Sequence, residues 1–158
     1  MKVTVITISD RASRGEYPDL SGPEIENAVL ARFSSADVSR TIVPDEAEQI
    51  LRALQAASDS DFILTTGSTG LSPRDIAPEV TAGFCEKEIP GIAEALRAAS
   101  LAETPAAMLS RSYAGLRDRT IVVNFPGSVN AVRLCMKVIG PVMEHALRML
   151  RGEGHTSV

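Results

Sequence analysis

The segment TTGSTGLSPRD, residues 65–75, places two glycines, five hydroxyl side chains, an arginine and an aspartate directly after an apolar run. Glycine lets a backbone approach a ligand closely, and successive amide N–H groups in a tight loop form a concavity that binds anions. The segment fits neither a Walker loop, since no lysine follows Gly70, nor the Rossmann spacing of glycines. It predicts a site for a phosphate-like anion, and an ordinary turn after a strand is the alternative.

Two side chains at the end of this segment have matching chemistry. Arg74 is a cation suited to phosphate oxygens, and Asp75 is a carboxylate suited to a hard metal ion. Arg11, Arg14 and Lys87 are further candidate partners of phosphate, and for these three and Arg74 a solvated surface position is an equal alternative.

The pattern of apolar residues predicts a domain in which strands and helices alternate. Short β-branched or apolar runs predict strands at 2–8, 38–43, 61–66 and 121–125, the last within a hairpin or tight crossover that begins near residue 109. Helical spacing predicts helices at 23–33, from about 45 to 58, from about 78, at 92–101 and at 128–151, with a possible bend at Gly140-Pro141. This alternation is typical of an α/β fold with a mainly parallel sheet covered by helices on both faces.

The unusual polar segments all follow predicted strands. Ser9-Asp10-Arg11, Pro44-Asp45, the loop Gly67–Gly70 and Pro126-Gly127-Ser128 each stand at the carboxyl end of a strand. Ligands of open parallel sheets bind outside these ends, so the four segments are predicted to form one cleft. Asp45 has a second interpretation, because Asp45 and Glu48 stand at the spacing of a capping box before the second helix.

Composition and charge limit the class of protein. The chain has 158 residues, 23% of them charged, with a net charge of −4, which suits one globular domain and argues against a nucleic-acid surface. No signal peptide or membrane-length apolar run is present, which favours the cytoplasm. Cys85 and Cys135 are far apart and lack a CxxC motif, so we expect buried thiols without a zinc site or a disulfide.

Six segments together resemble one protein family. The chain is similar to the molybdopterin adenylyltransferases of molybdenum cofactor synthesis, the MogA type, which are related to MoaB and to the gephyrin G domain. The segments, in the order of the family, are SDRASRGEYPDLSGP, IVPDE, TTGSTGLSPRDIAPEVT, EIPG, AMLSRSYAG and NFPGSVNAV. The resemblance runs from about residue 3 to about residue 150 and implies a three-layer αβα domain, single over 1–158 with a flexible tail at 152–158.

The resemblance also implies an activity and a set of site residues. Such an enzyme, usually a homotrimer, transfers AMP from ATP to the terminal phosphate of molybdopterin with the help of Mg²⁺, and pyrophosphate leaves. Asp45 and Asp75 match the catalytic aspartates of the family and are the expected magnesium ligands. The candidate substrate-binding residues are Ser9, Asp10, Arg11, Gly67, Ser68, Thr69, Gly70, Arg74, Ser110, Ser112, Pro126, Gly127 and Ser128.

One residue departs from the family, and two other functions stay open. The loop of the family commonly has glycine where this chain has Ser68, so either the backbone there is ordinary or the hydroxyl adds a contact. The alternatives to adenylyl transfer are molybdate insertion into the adenylylated pterin and a pterin-binding module without catalysis. The motifs do not separate the MogA type from MoaB. A molybdenum-insertion enzyme is a further expected partner.

Overall fold

The computed structural model describes residues 1–153, which form a six-stranded sheet in the order β2-β1-β3-β6-β5-β4. The strands are β1 (Lys2–Ile8), β2 (Asp37–Val43), β3 (Phe62–Thr66), β4 (Lys87–Glu88), β5 (Ala114–Arg117) and β6 (Thr120–Phe125). The first three strands and β6 pair in parallel, whereas β5 and β4 are antiparallel. The predicted mainly parallel sheet is confirmed. Most of the predicted flexible tail, residues 154–158, lies outside the described part of the chain.

Helices cover both faces of the sheet. They are α1 (Asp10–Ser13), α2 (Ser21–Arg32), α3 (Ala47–Ala56), α4 (Ala77–Phe84), α5 (Pro90–Leu101) and α6 (Val129–Leu150), with a 3₁₀ helix at Pro105–Leu109. Successive side chains of a strand point to opposite faces. In β1, Val3 and Val5 accordingly pack with α2, α5 and α6, while Ile6 and Ile8 pack with α3 and α4. Because both faces are buried, the domain has the predicted three layers.

The capping box predicted at Asp45 is wrong. Helix α3 begins at Ala47 with Glu46 in the N-cap position, and no side chain there accepts a capping hydrogen bond. The carboxylate of Asp45 instead accepts a hydrogen bond from the backbone amide of Asp10, at 2.7 Å. The carboxylate of Asp45 therefore binds the first residue of α1 and does not cap α3.

Of the two predicted alternatives, the hairpin is the correct one, since β5 and β6 pair antiparallel across a turn in which Asp118 has φ +51°. Helix α6 continues through Pro141, and its residues Ile139 and Met143 on either side of the proline are buried. The two-residue strand β4, the short helix α1 and the 3₁₀ helix were not predicted. None of the helices within residues 1–153 has the length and apolar character needed to cross a membrane.

Candidate functional site

The loop after β3, residues Gly67–Gly70, is the glycine loop, and it begins with a residue that must be glycine. Gly67 has φ +93°, and a Cβ atom at this position would lie 2.3 Å from the carbonyl oxygen of Ile8. A Cβ on Gly127 would lie 3.3 Å from the Cα of Gly67. The ends of β1, β3 and β6 therefore meet at close range, and the predicted convergence of these loops is confirmed.

Ser68 adopts a left-handed conformation with φ +57°. Its hydroxyl accepts a hydrogen bond from the amide of Ile76 at 3.0 Å and donates to the carbonyl oxygen of Arg74 at 3.4 Å. The left-handed backbone costs a residue with a side chain about 1–2 kcal/mol, and each hydrogen bond returns about 0.5–1.5 kcal/mol. The backbone is thus not ordinary, and the hydroxyl adds the contacts that offset its strain.

The glycine loop forms one wall of a cavity of about 490 Å³, here called the large cavity. The predicted site residues that line it are Gly67, Ser68, Thr69, Gly70, Asp75, Ser110, Ser112, Pro126, Gly127 and Ser128. The remaining wall comes mostly from α5, the 3₁₀ helix and α6, through Leu96, Ala106, Ala107, Leu109, Ala131 and Cys135 among others. The large cavity is therefore polar at the glycine loop, while its remaining wall mixes these apolar side chains with the polar Arg97, Ser100 and Thr104.

The backbone of the glycine loop leaves hydrogen-bond donors unused. The amide of Gly67 donates to the carbonyl oxygen of Phe125 at 3.1 Å. Among the hydrogen bonds within residues 1–153, none has the amide of Ser68, Thr69 or Gly70 as its donor. Buried amides normally have partners, so three successive free donors beside a cavity are the arrangement that an anionic group satisfies.

Asp75 is held at the edge of the large cavity by a turn of its own. Its carboxylate accepts a hydrogen bond from the amide of Ser72 at 2.8 Å, and its amide donates to the carbonyl oxygen of Ser72 at 2.9 Å. A Cβ on Gly70 would lie 2.9 Å from the Asp75 Oδ2 atom. The lack of a side chain at Gly70 therefore leaves room for this carboxylate.

A second group of charged residues lies outside the large cavity. Asp10 and Asp45 bind each other reciprocally, because each carboxylate accepts a hydrogen bond from the amide of the other residue, at 3.0 and 2.7 Å. Arg74 donates to both carboxylate oxygens of Asp10, at 3.1 and 3.0 Å, and to Glu46 at 2.7 Å. The guanidinium of Arg74 lowers the pKa of Asp10 below its usual range. In this structure Arg74 thus joins the loops after β1 and β2.

Ser9 and Arg11 line a different cavity, of about 330 Å³, called the small cavity. The guanidinium carbon of Arg11 lies 5.2 Å from the centre of the Tyr17 ring. Gly127 and Ser128 line both cavities, so the loop after β6 is their shared wall. The predicted single cleft is therefore divided into two cavities at this loop.

Two other predicted cations stand apart from both cavities. Arg14 forms an exposed ion pair with Glu16 at 2.6 Å, and Lys87 is an exposed residue of the edge strand β4. Exposed pairs of this kind contribute little to stability. For these two residues the surface interpretation fits their position.

Two arginines that the sequence did not single out organise the site. The guanidinium of Arg111 donates to the carbonyl oxygens of Gly70, at 2.7 Å, and of Asp75, and it contacts the carboxylate of Glu79. Arg97 donates to the carbonyl oxygen of Ser112 at 2.9 Å. The only sequence signal for Arg111 was its place between the two predicted serines.

The donor set indicates how a magnesium ion could be held. Within residues 1–153 no group of three or more His, Cys, Asp or Glu side chains could hold a metal ion. Mg²⁺ often relies on one or two carboxylates together with substrate phosphates and water. The residues present therefore fit a magnesium ion carried with a phosphate ligand, with Asp75 as the carboxylate at the large cavity.

The thiols are free, as predicted, but only Cys135 is fully buried. Burial raises the pKa of Cys135 to about 12 and that of the half-buried Cys85 to about 11. Both thiols are therefore protonated and unreactive near neutral pH.

Comparison with known proteins shows similarity along nearly the whole chain. Residues 4–145 match the family described as "Probable molybdopterin binding domain". The chain is 37% identical to the molybdopterin adenylyltransferase of Helicobacter pylori (strain J99), over 95% of this chain and 88% of that protein. A solved MogA structure matches with a TM-score of 0.89 and 35% identity, covering 95% of this chain and 99% of its own. The MoaB structure from Thermus thermophilus matches with a TM-score of 0.87 and 38% identity, covering 96% of both chains.

Proposed function

Because this chain belongs to the family of probable molybdopterin binding domains, we propose that it is a nucleotidyltransferase that adenylylates molybdopterin in molybdenum cofactor biosynthesis. The nucleotide donor is ATP, and the products are adenylyl-molybdopterin and pyrophosphate. The two alternatives have less support. The Helicobacter pylori relative is named for adenylyl transfer and aligns over most of its length, whereas neither molybdate insertion nor a non-catalytic role has an observation in its favour.

The observation that carries the proposal is the set of free amides in the glycine loop. Three successive N–H groups without acceptors point to an anionic ligand, and the large cavity beside them has a volume within the range of small-molecule sites. The apolar residues of its remaining wall, which include Leu96 and Leu109, would contact the faces of a pterin ring, and the polar side chains beside them would bind its polar edge. A ligand with a phosphate at one end and a ring system at the other matches this division.

The chemistry requires positioning more than a nucleophilic side chain. An oxygen of the molybdopterin phosphate forms a bond to the α-phosphorus of ATP, and the bond from that phosphorus to the bridging oxygen breaks, its electron pair leaving with pyrophosphate. Two polyanions must be brought together, so the protein has to fix them and neutralise charge. The free amides of the glycine loop would hold the acceptor phosphate, and Asp75 would hold a magnesium ion that neutralises charge on the phosphates.

We also propose a catalytic role for Asp45, although this residue lies outside the large cavity. Its carboxylate is bound to the amide of Asp10 and does not line the large cavity. It would act at the neighbouring loop, where Asp10 and Arg74 also lie, either on the phosphates of the nucleotide or on their metal ion. Arg74 would then exchange its carboxylate partners for phosphate oxygens.

The assembly and the location are also proposals. We place the enzyme in the cytoplasm as a homotrimer that passes its product to a molybdenum-insertion enzyme. The resemblance of the six sequence segments to the family supports this assignment.

The test is an assay of the purified protein with molybdopterin, Mg²⁺ and ATP, in which adenylyl-molybdopterin is detected by mass spectrometry. Asp75→Asn keeps the oxygen that accepts from Ser72 but removes the charge, so turnover should fall by about 100-fold while the melting temperature holds. Asp45→Asn should show a smaller loss. The matched control is Asp118→Asn, in the β5–β6 turn, where asparagine also tolerates a positive φ.

Absence of product from the wild-type protein would refute the proposed reaction. Near wild-type turnover of Asp75→Asn at saturating Mg²⁺ and ATP would refute the role of this carboxylate. A loss of turnover in Asp118→Asn equal to that in Asp75→Asn would show that the effect is not specific to the large cavity.

A further inference from the structure

Arg111 connects the segments that carry the site without lining the large cavity. Its neighbours Ser110 and Ser112 line the large cavity, whereas the side chain of Arg111 contacts the glycine loop, the Asp75 turn and the start of α4. Its backbone amide also donates to the carbonyl oxygen of Thr69, at 3.1 Å. One residue, more than 30 positions away in sequence, therefore binds all three segments.

We propose that Arg111 is the positioning residue of this site: it holds the amides of the glycine loop and the carboxylate of Asp75 in the orientation that a phosphate ligand needs. The inference rests on the proposed function for the identity of the ligand. Arg111 is not a catalytic residue in this proposal, because it acts through the loop and does not touch the ligand.

The geometry of the peptide bond explains how contacts with carbonyl oxygens orient amides. In a planar trans peptide, the C=O of one residue and the N–H of the next point in opposite directions. The carbonyl oxygen of Thr69 accepts from the backbone amide of Arg111 and that of Gly70 from its guanidinium, so the N–H groups of Gly70 and Leu71 point away from Arg111. Without the guanidinium, the peptide plane between Gly70 and Leu71 could rotate and turn its donor away from the anion, and the part of the loop next to it would lose its link to the Asp75 turn.

The guanidinium of Arg111 also donates to the carbonyl oxygen of Asp75, and this hydrogen bond holds the turn that carries the Asp75 carboxylate. The turn at Asp75 has two fixed points, which are the amide of Ser72 on its side chain and the guanidinium of Arg111 on its carbonyl oxygen. Because the same guanidinium also binds Gly70, it fixes the spacing between the glycine loop and the carboxylate.

The two carbonyl contacts matter more in this proposal than the ion pair with Glu79. The Glu79 side chain is 59% exposed, and exposed ion pairs contribute little. The side chain of Arg111 is only 32% exposed, and its planar fork reaches two carbonyl oxygens and a carboxylate at once. A lysine has a single ammonium group and cannot bind the same three partners with that geometry.

The experiment compares Arg111→Lys with Arg133→Lys in the full-length protein. Arg133 also binds a carboxylate, that of Glu24 at 2.8 Å, but on the surface formed by α2 and α6. Each variant is measured for urea stability, for kcat and KM with ATP, and for amide hydrogen exchange in residues 67–76. A third variant, Glu79→Gln, removes the ion pair and leaves the carbonyl contacts in place.

We expect Arg111→Lys to fold and to lose about 100-fold in kcat, because a displacement of about 1 Å at a reacting centre costs this much. The KM for ATP should change by less than about threefold. Amide hydrogen exchange in residues 67–76 should be faster than in the wild type. Arg133→Lys and Glu79→Gln should stay within about threefold of wild-type kcat, since exposed ion pairs contribute little. Wild-type kcat in folded Arg111→Lys, an equal loss in Glu79→Gln, or unchanged exchange in residues 67–76 would overturn the proposal.

The readouts separate this inference from the proposed function. If the wild-type protein produces no adenylyl-molybdopterin, the proposed function fails. The hydrogen exchange of residues 67–76 then still decides whether Arg111 holds the loop, and unchanged exchange in a folded Arg111→Lys would overturn the positioning role without reference to turnover.

Discussion

Replacing Gly67 with alanine tests whether the glycine loop depends on a residue that has no side chain. The Cβ of the alanine would lie 2.3 Å from the carbonyl oxygen of Ile8, and φ +93° is a conformation that residues with a side chain rarely adopt. Since that oxygen belongs to the backbone of the buried strand β1, relief requires a shift of the strand or of the loop. The backbone strain costs about 1–2 kcal/mol and overpacking adds about 1–3 kcal/mol. Gly67→Ala should therefore lower the free energy of unfolding by about 2–5 kcal/mol.

The assay is urea denaturation of the purified variant, with Gly83→Ala as the matched control. Gly83 lies in α4, and beyond its chain neighbours and the backbone of its own helix no atom stands within 4 Å of a Cβ built there. Alanine at that helical position should stabilise the protein by about 0.5–1 kcal/mol. If Gly67→Ala lies within about 0.5 kcal/mol of the wild type, as ordinary surface substitutions do, the reasoning about the loop is refuted.

Three further predictions follow from the same structure. Gly70→Val should weaken molybdopterin binding at least about 10-fold, because the Cβ of the valine would lie 2.9 Å from the Asp75 carboxylate and would displace it. An unchanged Kd in a folded variant, measured by calorimetry, would contradict this prediction. Burial raises the pKa of Cys135 to about 12, so its contribution to stability is present below an unfolded pKa of about 8.5 and is lost as the pH rises toward about 12. Urea titrations should show a shallower decline over this pH window in Cys135→Ala, and equal slopes would count against it. Sedimentation at micromolar concentration should give a homotrimer, and a monomer would remove that proposal.

The parallel part of the sheet could be predicted because its sequence signals are local. The strand at 2–8 matches the observed β1, and β3 and β6 differ from their predicted bounds by one residue. Both faces of these strands are buried, so they are continuous apolar runs that need no knowledge of their partners. The convergence of the loops then followed from topology, since parallel strands end at the same edge.

The contacts that complete the site could not be predicted, because they join residues far apart in the chain. Asp45 stands at a spacing typical of a helix cap, yet its carboxylate binds Asp10, 35 residues earlier. Arg74 was expected to bind phosphate, and its donors are directed to Asp10 and Glu46. Nothing local distinguishes Arg111 from a surface arginine. The strand β4 has two residues, too few for any periodic pattern.

The order of the strands has a consequence for synthesis of the chain. Strand β6 pairs with β3, whose residues precede it by about 60 positions, and it stands in the sheet between β3 and β5. During translation the chain emerges from its amino terminus, so β1, β2 and β3 leave the ribosome well before β6. Until Thr120–Phe125 appears, the buried strand Phe62–Thr66 has an unpaired edge, which is the kind of surface that pairs with other chains. The arrival of β6 closes this edge and also brings Gly127 against Gly67, so the same strand both protects the sheet and joins two walls of the large cavity.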